Sequence, residues 1–315
     1  MKNIDVFYDL IDKMAMIYYQ NLGVDYLDSL ILAADFFSNK EYDQKISTNE
    51  YKKLESLYLA ASKINFSKEE IRLASQLLII KAFKHINYSL DLMSPDIINY
   101  LIINVIRKLF ANKKISIIDT ALGTGNLLQA IVNHLSTTPE LFGIEHDQRL
   151  VNLGRALFDL QKTEIIIYYQ DALKQVNEMV DLVIGDISSY YIEDNPLITT
   201  SLYKQGVRFF PFLAIHTRLN NLKENGYFIY VIDNDFFSRE GNNVFNKEIK
   251  QISTLMGLIV LPKNIHQEHH VGRSILIGKK AIIDNYQMLI LSIDNSNAKT
   301  LMEAVNNIDL MIEKF

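Results

Sequence analysis

The stretch ISIIDTALGTGNLLQAIVNHL, residues 115–135, decides the fold class. It opens on a run of apolar, β-branched residues and breaks at a tip carrying Asp119, Gly123, Gly125 and Asn126. It then resumes at helical spacing. A buried strand, a glycine turn and a helix, in that order, form the first half of a β-α-β unit. Glycine lets the backbone come close to a ligand, and the helix start beyond it offers free N–H groups. The turn is not the dinucleotide fingerprint G-x-G-x-x-G, and no Gly-Lys-Ser/Thr follows to make a P-loop. A lone G-x-G is equally at home in a plain tight connection.

C-terminal to this stretch the same rhythm continues. Short apolar runs at 141–147 (LFGIEHD), 165–171 (IIIYYQD), 181–186 (DLVIGD), 227–233 (YFIYVID), 255–262 (LMGLIVLP) and 274–280 (SILIGKK) read as strands. Helical stretches separate most of them, as at 148–161, 208–226 and the segment ending NKEIKQIST. Alternating strand and helix predicts a mostly parallel, doubly wound sheet. Strands apolar on both faces belong at its centre. A further strand, YQMLILSI, and a helix at 297–315 close the chain.

N-terminal to it the pattern is different. Apolar residues recur at helical spacing through 6–22, 26–38, 49–64 and 67–86, and Gly23 is the only glycine in the first ninety residues. SKEE at 67–70 reads as a capping box, with Ser67 as N-cap and Glu70 three residues on. SPDIINYLIINVIRKLF, 94–110, reads as a helix capped by Ser94 with Pro95 at its first position. These features predict an all-helical domain over 1–90 and an α/β domain over 91–315. The helical domain suits a lid or packing role as well as a substrate-binding or dimerising one.

Composition narrows the class. A chain of 315 residues, 49% hydrophobic and 22% charged, can bury a large core. No apolar run is long and charge-free enough to span a bilayer, and acids in MKNIDVFYDL do not suit a signal peptide. The lack of cysteine excludes disulfides, thiolate metal sites and a cysteine nucleophile, and fits the cytoplasm. A net charge of −5 lends no support to broad binding of nucleic-acid phosphates, though a local basic patch is compatible with it. Nothing in the residue pattern fixes an oligomeric state.

In an open α/β sheet, ligands bind beyond the carboxyl ends of the strands. Here the first strand ends at Asp119, the second at Glu145 and Asp147, the third at Asp171 and the fourth at Asp186. An acid after the glycine turn can hold a ribose hydroxyl pair, and one on the third strand can accept an exocyclic amine. Asp147 also fits a helix N-terminal acid favoured by the dipole. Four acids at the same end of successive strands point to a nucleoside-type ligand.

The order of these elements resembles class I S-adenosylmethionine-dependent methyltransferases. More narrowly, it resembles the N6-adenine DNA methyltransferases, in the branch of type I modification subunits and smaller bacterial relatives. MSPDIINYLI is similar to that family's helix before the first strand, and DTALGTGNLL to its Asp-Pro-x-x-Gly-Thr-Gly motif, with Thr120 at the proline's place. GLIVLPKNIHQEHHVGRSILIGKK is similar to its Leu-Pro loop and final hairpin. The resemblance runs from Ser94 to Lys280 and implies a Rossmann-like methyltransferase sheet of seven strands behind a helical domain. It implies S-adenosyl-L-methionine as cofactor, held by Ser94, Asp119, Ala121, Gly123, Thr124, Gly125, Asn126, Glu145, His146, Asp171 and Ala172. It implies DNA adenine as the target, with RNA or protein as other acceptors.

The family's fourth motif is Asn/Asp-Pro-Pro-Tyr/Phe. Its acid or amide and a backbone carbonyl accept hydrogen bonds from the target amine, and its ring stacks on the extruded base. Here the positions read Asp186, Ile187, Ser188 and Ser189, with Tyr190 and Tyr191 next. The resemblance implies catalytic roles at Asp186, Ser188 and Tyr190. Without prolines the loop loses its preset φ angles, and holding reactive geometry costs more entropy. That departure points to weak or lost activity, or to a changed substrate. Three readings therefore stand: an adenine N6 methyltransferase, a methyltransferase for another acceptor, and a non-catalytic cofactor- or partner-binding protein. The tract holding His266, Glu268, His269 and His270 reads as a solvated loop rather than a metal site. No Gly-x-Ser-x-Gly elbow accompanies Ser188 and Ser189.

Overall fold

The computed structural model describes residues 2–262, 265 and 271–315. They form two compact units: one of residues up to 93 with 123–133 and 147–167, the other of 94–122, 134–146 and 168–315.

The first unit is helical. It contains α1 (Asn3–Leu22), α2 (Tyr26–Asn39), α3 (Thr48–Ala61), α4 (Lys68–Ile86), α6 (Asn126–His134) and α7 (Gln148–Leu160). Local chemistry sets the ends of these helices. Asp25 and Ser47 cap α2 and α3 by accepting from the third backbone N–H on. The box at Ser67 forms as its residues predict, since Ser67 Oγ accepts from Glu70 N at 3.2 Å and Ser67 N donates to Glu70 at 2.8 Å. Gly23, Lys40 and Asn87 then turn left-handed after α1, α2 and α4. Apolar faces meet in one core that includes Phe7, Tyr18, Phe36 and Phe83, together with Leu150, Leu153, Leu157 and Leu160 of α7. Each such side chain contributes roughly 1.5–3 kcal/mol of burial. Arg149 of α7 adds ion pairs to Asp25 at 2.6 Å and Asp28 at 3.0 Å.

The second unit carries the sheet, apart from the first two residues of the edge strand at Ile166–Tyr169. Its helices are α5 (Asp96–Phe110), α8 (Ser201–Lys204), α9 (Phe210–Arg218), α10 (Asn242–Ile249) and α11 (Ala298–Ile312). Among the described residues eight strands form one sheet: β1 (Ser116–Asp119), β2 (Glu140–Glu145), β3 (Ile166–Tyr169), β4 (Val180–Asp186), β5 (Leu222–Asp233), β6 (Thr254–Val260), β7 (Arg273–Lys279) and β8 (Leu289–Ser292). Their order is β3-β2-β1-β4-β5-β7-β6-β8. β1 runs parallel to β2 and β4, and β4 to β5. β7 is antiparallel to β5 and β6, and β8 pairs parallel with β6. The fold is the expected doubly wound α/β one. Its sheet has one strand more than seven, because YQMLILSI supplies an eighth at the edge.

One expected cap is different. Pro95, not Ser94, stands at the N-cap of α5, with φ −62° and ψ 144°, and makes no side-chain cap. A pyrrolidine ring already presets the entry angle, and the Ser94 hydroxyl donates to Asp186. Among the described residues no helix is long and apolar enough to cross a membrane.

Candidate functional site

Strand order reverses direction between β1 and β4, so the carboxyl ends of these neighbours flank the crevice where open α/β sheets take ligands. Asp119 ends β1 and Asp186 ends β4. Asp119 is 1% exposed, and its carboxyl accepts from Ala121 N at 3.1 Å. Burial, with the charges of Asp186 and Glu145 nearby, pushes its pKa up to about 7. Behind it, Thr120 Oγ1 and the Tyr230 hydroxyl bond at 2.8 Å, which satisfies a polar side chain where the family carries proline.

Glu145 ends β2 and is also buried, at 6% exposure. Its Oε1 accepts from His146 N at 2.8 Å, and the exposed imidazole Nδ1 lies 3.2 Å away. Gln170 N donates to the Glu145 carbonyl at 2.9 Å, which sets the loop after β3 beside the tip of β2. Asp171 lies exposed in that loop and folds it by accepting from Leu173 N at 2.7 Å. Ala172 packs half-buried against the core. Two residues passed over in the sequence hold this loop from the end of α9. Buried Arg218 donates to the Lys174 carbonyl, and Asn221 donates to the carbonyls of Val176 at 2.7 Å and Glu178 at 2.8 Å.

The glycine turn belongs to the first unit. Gly123 and Gly125 have φ of 54° and 74°, the left-handed region that a side chain resists. A Cβ on Gly125 would lie 2.9 Å from the Phe158 ring. Thr124 N donates to the Leu92 carbonyl at 3.4 Å, while its buried Oγ1 has no partner among the described residues. Asn126 opens α6, and its Oδ1 accepts from Arg72 at 2.7 Å and Gln76 at 3.1 Å. Asp147 is the N-cap of α7, accepting from Arg149 N and Leu150 N, with the Tyr88 hydroxyl donating at 3.1 Å. It is spent on capping.

At the fourth motif Asp186 is fully engaged. Arg273, opening β7, donates through Nη2 to Asp186 Oδ1 and lies 3.4 Å from the Ile187 carbonyl. Ser94 Oγ donates to Oδ2 at 2.8 Å. Ile187 is sunk in the core and Ser188 is exposed, while Ser189 Oγ is buried with no partner among the described residues. Tyr190 lies stacked on Phe210 with ring centroids 4.7 Å apart. Burial and the charge of Asp171 push its pKa up to about 12. Backbone bonds of 2.9 Å from Phe210 N to Tyr190 O and from Ile192 N to Arg208 O pin the loop without proline.

Arg273 went unread in the sequence. The signal is a lone arginine heading the apolar run SILI, where burial demands a carboxylate partner. The histidine tract at 266–270 lies outside the described residues. Among the described residues no group of three or more His, Asp or Glu side chains is placed to hold a metal ion.

These groups suit a cationic nucleoside. Buried acceptors at the ends of β1 and β2 match an ammonium or sulfonium charge and a ribose diol. A positive ligand would also offset the burial, and the lesser repulsion from Asp186 and Glu145, that raise Asp119.

Known proteins agree on the architecture. The family model of the YtxK N-terminal helical domain matches residues 5–83, and that of N-6 DNA methylase matches residues 91–313. The uncharacterized protein YtxK of Bacillus subtilis (strain 168) is 31% identical over 265 residues, 82% of this chain and 80% of that protein. A Listeria monocytogenes crystal structure, described as a candidate class I S-adenosylmethionine-dependent methyltransferase, superposes with a TM-score of 0.85. It is 26% identical and covers 99% of both chains. The type I restriction-modification methyltransferase subunit of Streptococcus thermophilus shares the fold at a TM-score of 0.66. It is 15% identical over 97% of this chain and 74% of that one.

Proposed function

Because the chain belongs to the N-6 DNA methylase family, we propose that it binds S-adenosyl-L-methionine and has weak or no transfer to adenine N6. The buried carboxylates Asp119 and Glu145, at the ends of the neighbouring strands β1 and β2, carry this reading. The cofactor supplies an electrophilic methyl group on a sulfonium. Asp119 offers charge to its cation, Glu145 and the backbone beside His146 take the ribose diol, and Asp171 with Ala172 takes the adenine edge. The family resemblance assigns Ser94, Ala121, Gly123, Thr124, Gly125 and Asn126 to the same cofactor. The assignment of 1–90 as the helical domain and 91–315 as the transferase domain belongs to the same proposal.

Asp186 would accept from the acceptor's amine, with Ser188 and Tyr190 beside it. DNA is the acceptor this family favours. A non-catalytic cofactor- or partner-binding role is the second reading, and the engagement of both Asp186 oxygens favours it. Calorimetric titration with the cofactor and its demethylated product tests the first claim. If neither binds at millimolar concentration, it is wrong. A radiolabelled-methyl assay on DNA and RNA tests the second.

A further inference from the structure

An amine that receives a methyl group needs two acceptors for its N–H bonds, so that its lone pair can turn toward the incoming carbon. In that transfer the amine nitrogen forms the new N–C bond. The S–C bond breaks with its electron pair left on sulfur, and one amine proton departs to solvent. At the tip of β4 the two convergent acceptors are Asp186 Oδ1 and the Ile187 carbonyl. A single nitrogen of this chain, Arg273 Nη2, donates to both, with the Ile187 contact at 3.4 Å. The same nitrogen reaches the Val231 carbonyl at 3.3 Å, and Arg273 Nε stands 3.6 Å from Asp233. The register of β5 with β7 sets Asp233 opposite Arg273, so the sheet itself aims the guanidinium inward. Arg273 is 6% exposed and the Asp186 side chain 13%. Such a buried pair is strongly resistant to separation, because displacing one partner strands the other charge.

We infer that Arg273 occupies the acceptor-amine position of the fourth motif and closes it to the exocyclic amines of nucleic-acid bases, leaving cofactor binding intact. The inference rests on the proposed function above. It adds a specificity-determining residue supplied by a distant strand. The loop's missing prolines are then secondary: a reshaped loop would still present its two acceptors to an internal donor.

The test uses the full chain as wild type, as Arg273→Met, and as Arg273→Met with Asp186→Asn. The double variant buries no unpaired charge at position 186 and guards against a single variant that fails to fold. Cofactor affinity is read by calorimetry, and transfer by labelled methyl incorporated into adenine of a single-stranded DNA oligonucleotide. The wild type should bind cofactor and transfer nothing above a protein-free control. The double variant should keep cofactor affinity within about threefold and exceed the protein-free control at least tenfold. Wild-type transfer equal to that of the variants overturns the inference. So does a folded, cofactor-binding double variant that gains nothing, with the functional reading left standing. Absence of cofactor binding by the wild type overturns both.

Discussion

Raising the pH through neutrality should destabilise the second unit by way of Asp119. Its carboxyl is 1% exposed and lies within reach of the Asp186 and Glu145 charges, and it holds its proton up to about pH 7. In the unfolded chain an aspartate releases its proton near pH ~4. Between those values the folded chain binds a proton that the unfolded chain lacks. The stabilising contribution is therefore fully present below pH ~4 and is lost as pH rises through about 7. At about 1.36 kcal/mol per pH unit, the loss from pH ~5 to ~8 is about 2–3 kcal/mol. Urea unfolding of the wild type and of Asp119→Asn, at both pH values, isolates the effect. The amide has the same shape, stays neutral and keeps an acceptor for Ala121 N. All other titrating groups are common to both proteins. The variant should gain on the wild type by that amount as pH rises. Parallel pH dependences for the two proteins would refute the reasoning.

The remaining expectations concern single groups. Gly125→Ala forces a side chain into the left-handed region against Phe158, costing about 1–2 kcal/mol for backbone strain alone. An unchanged melting temperature would contradict it. Glu145→Ala should weaken S-adenosylmethionine binding by ~1–3 kcal/mol, read by calorimetry, as for a lost bond to a charged group. Equal affinities would remove Glu145 from the proposed site. Ser94→Ala removes the 2.8 Å bond to Asp186 and should cost about 1–3 kcal/mol in urea unfolding. A change within experimental error would show that the hydroxyl is replaced at no cost.

What the sequence made legible was local. Ser67 and Glu70 announce their helix within four residues, and Asp147 fits its role as an N-cap by standing just before an apolar helical period. The strands were legible as apolar runs, and the acids ending them as a set. Long-range choices were not legible. Ser94 carries a good capping residue's chemistry, yet Pro95 takes the cap and the hydroxyl serves Asp186 instead, 92 residues away. Arg273 reaches the same carboxylate across 87 residues. YQMLILSI reads as a strand, but only the fold places it parallel to β6 at the sheet's edge. Each of these depends on a partner that no local window contains.

The interleaving of the two units has a consequence for biosynthesis. Domains ordinarily fold in turn as they leave the ribosome, the N-terminal one first. Here α1 to α4 emerge early but lack the apolar face of α7, whose Leu150, Leu153, Leu157 and Leu160 complete their core and whose Arg149 joins Asp25 and Asp28. That unit is complete only once residue 167 is free. In the meantime α5, β1 and β2 have also emerged, and β1 still waits for β4. The nascent chain thus carries two unfinished hydrophobic surfaces at once, and the interval before residue 167 clears the ribosome is when a chaperone would have most to hold.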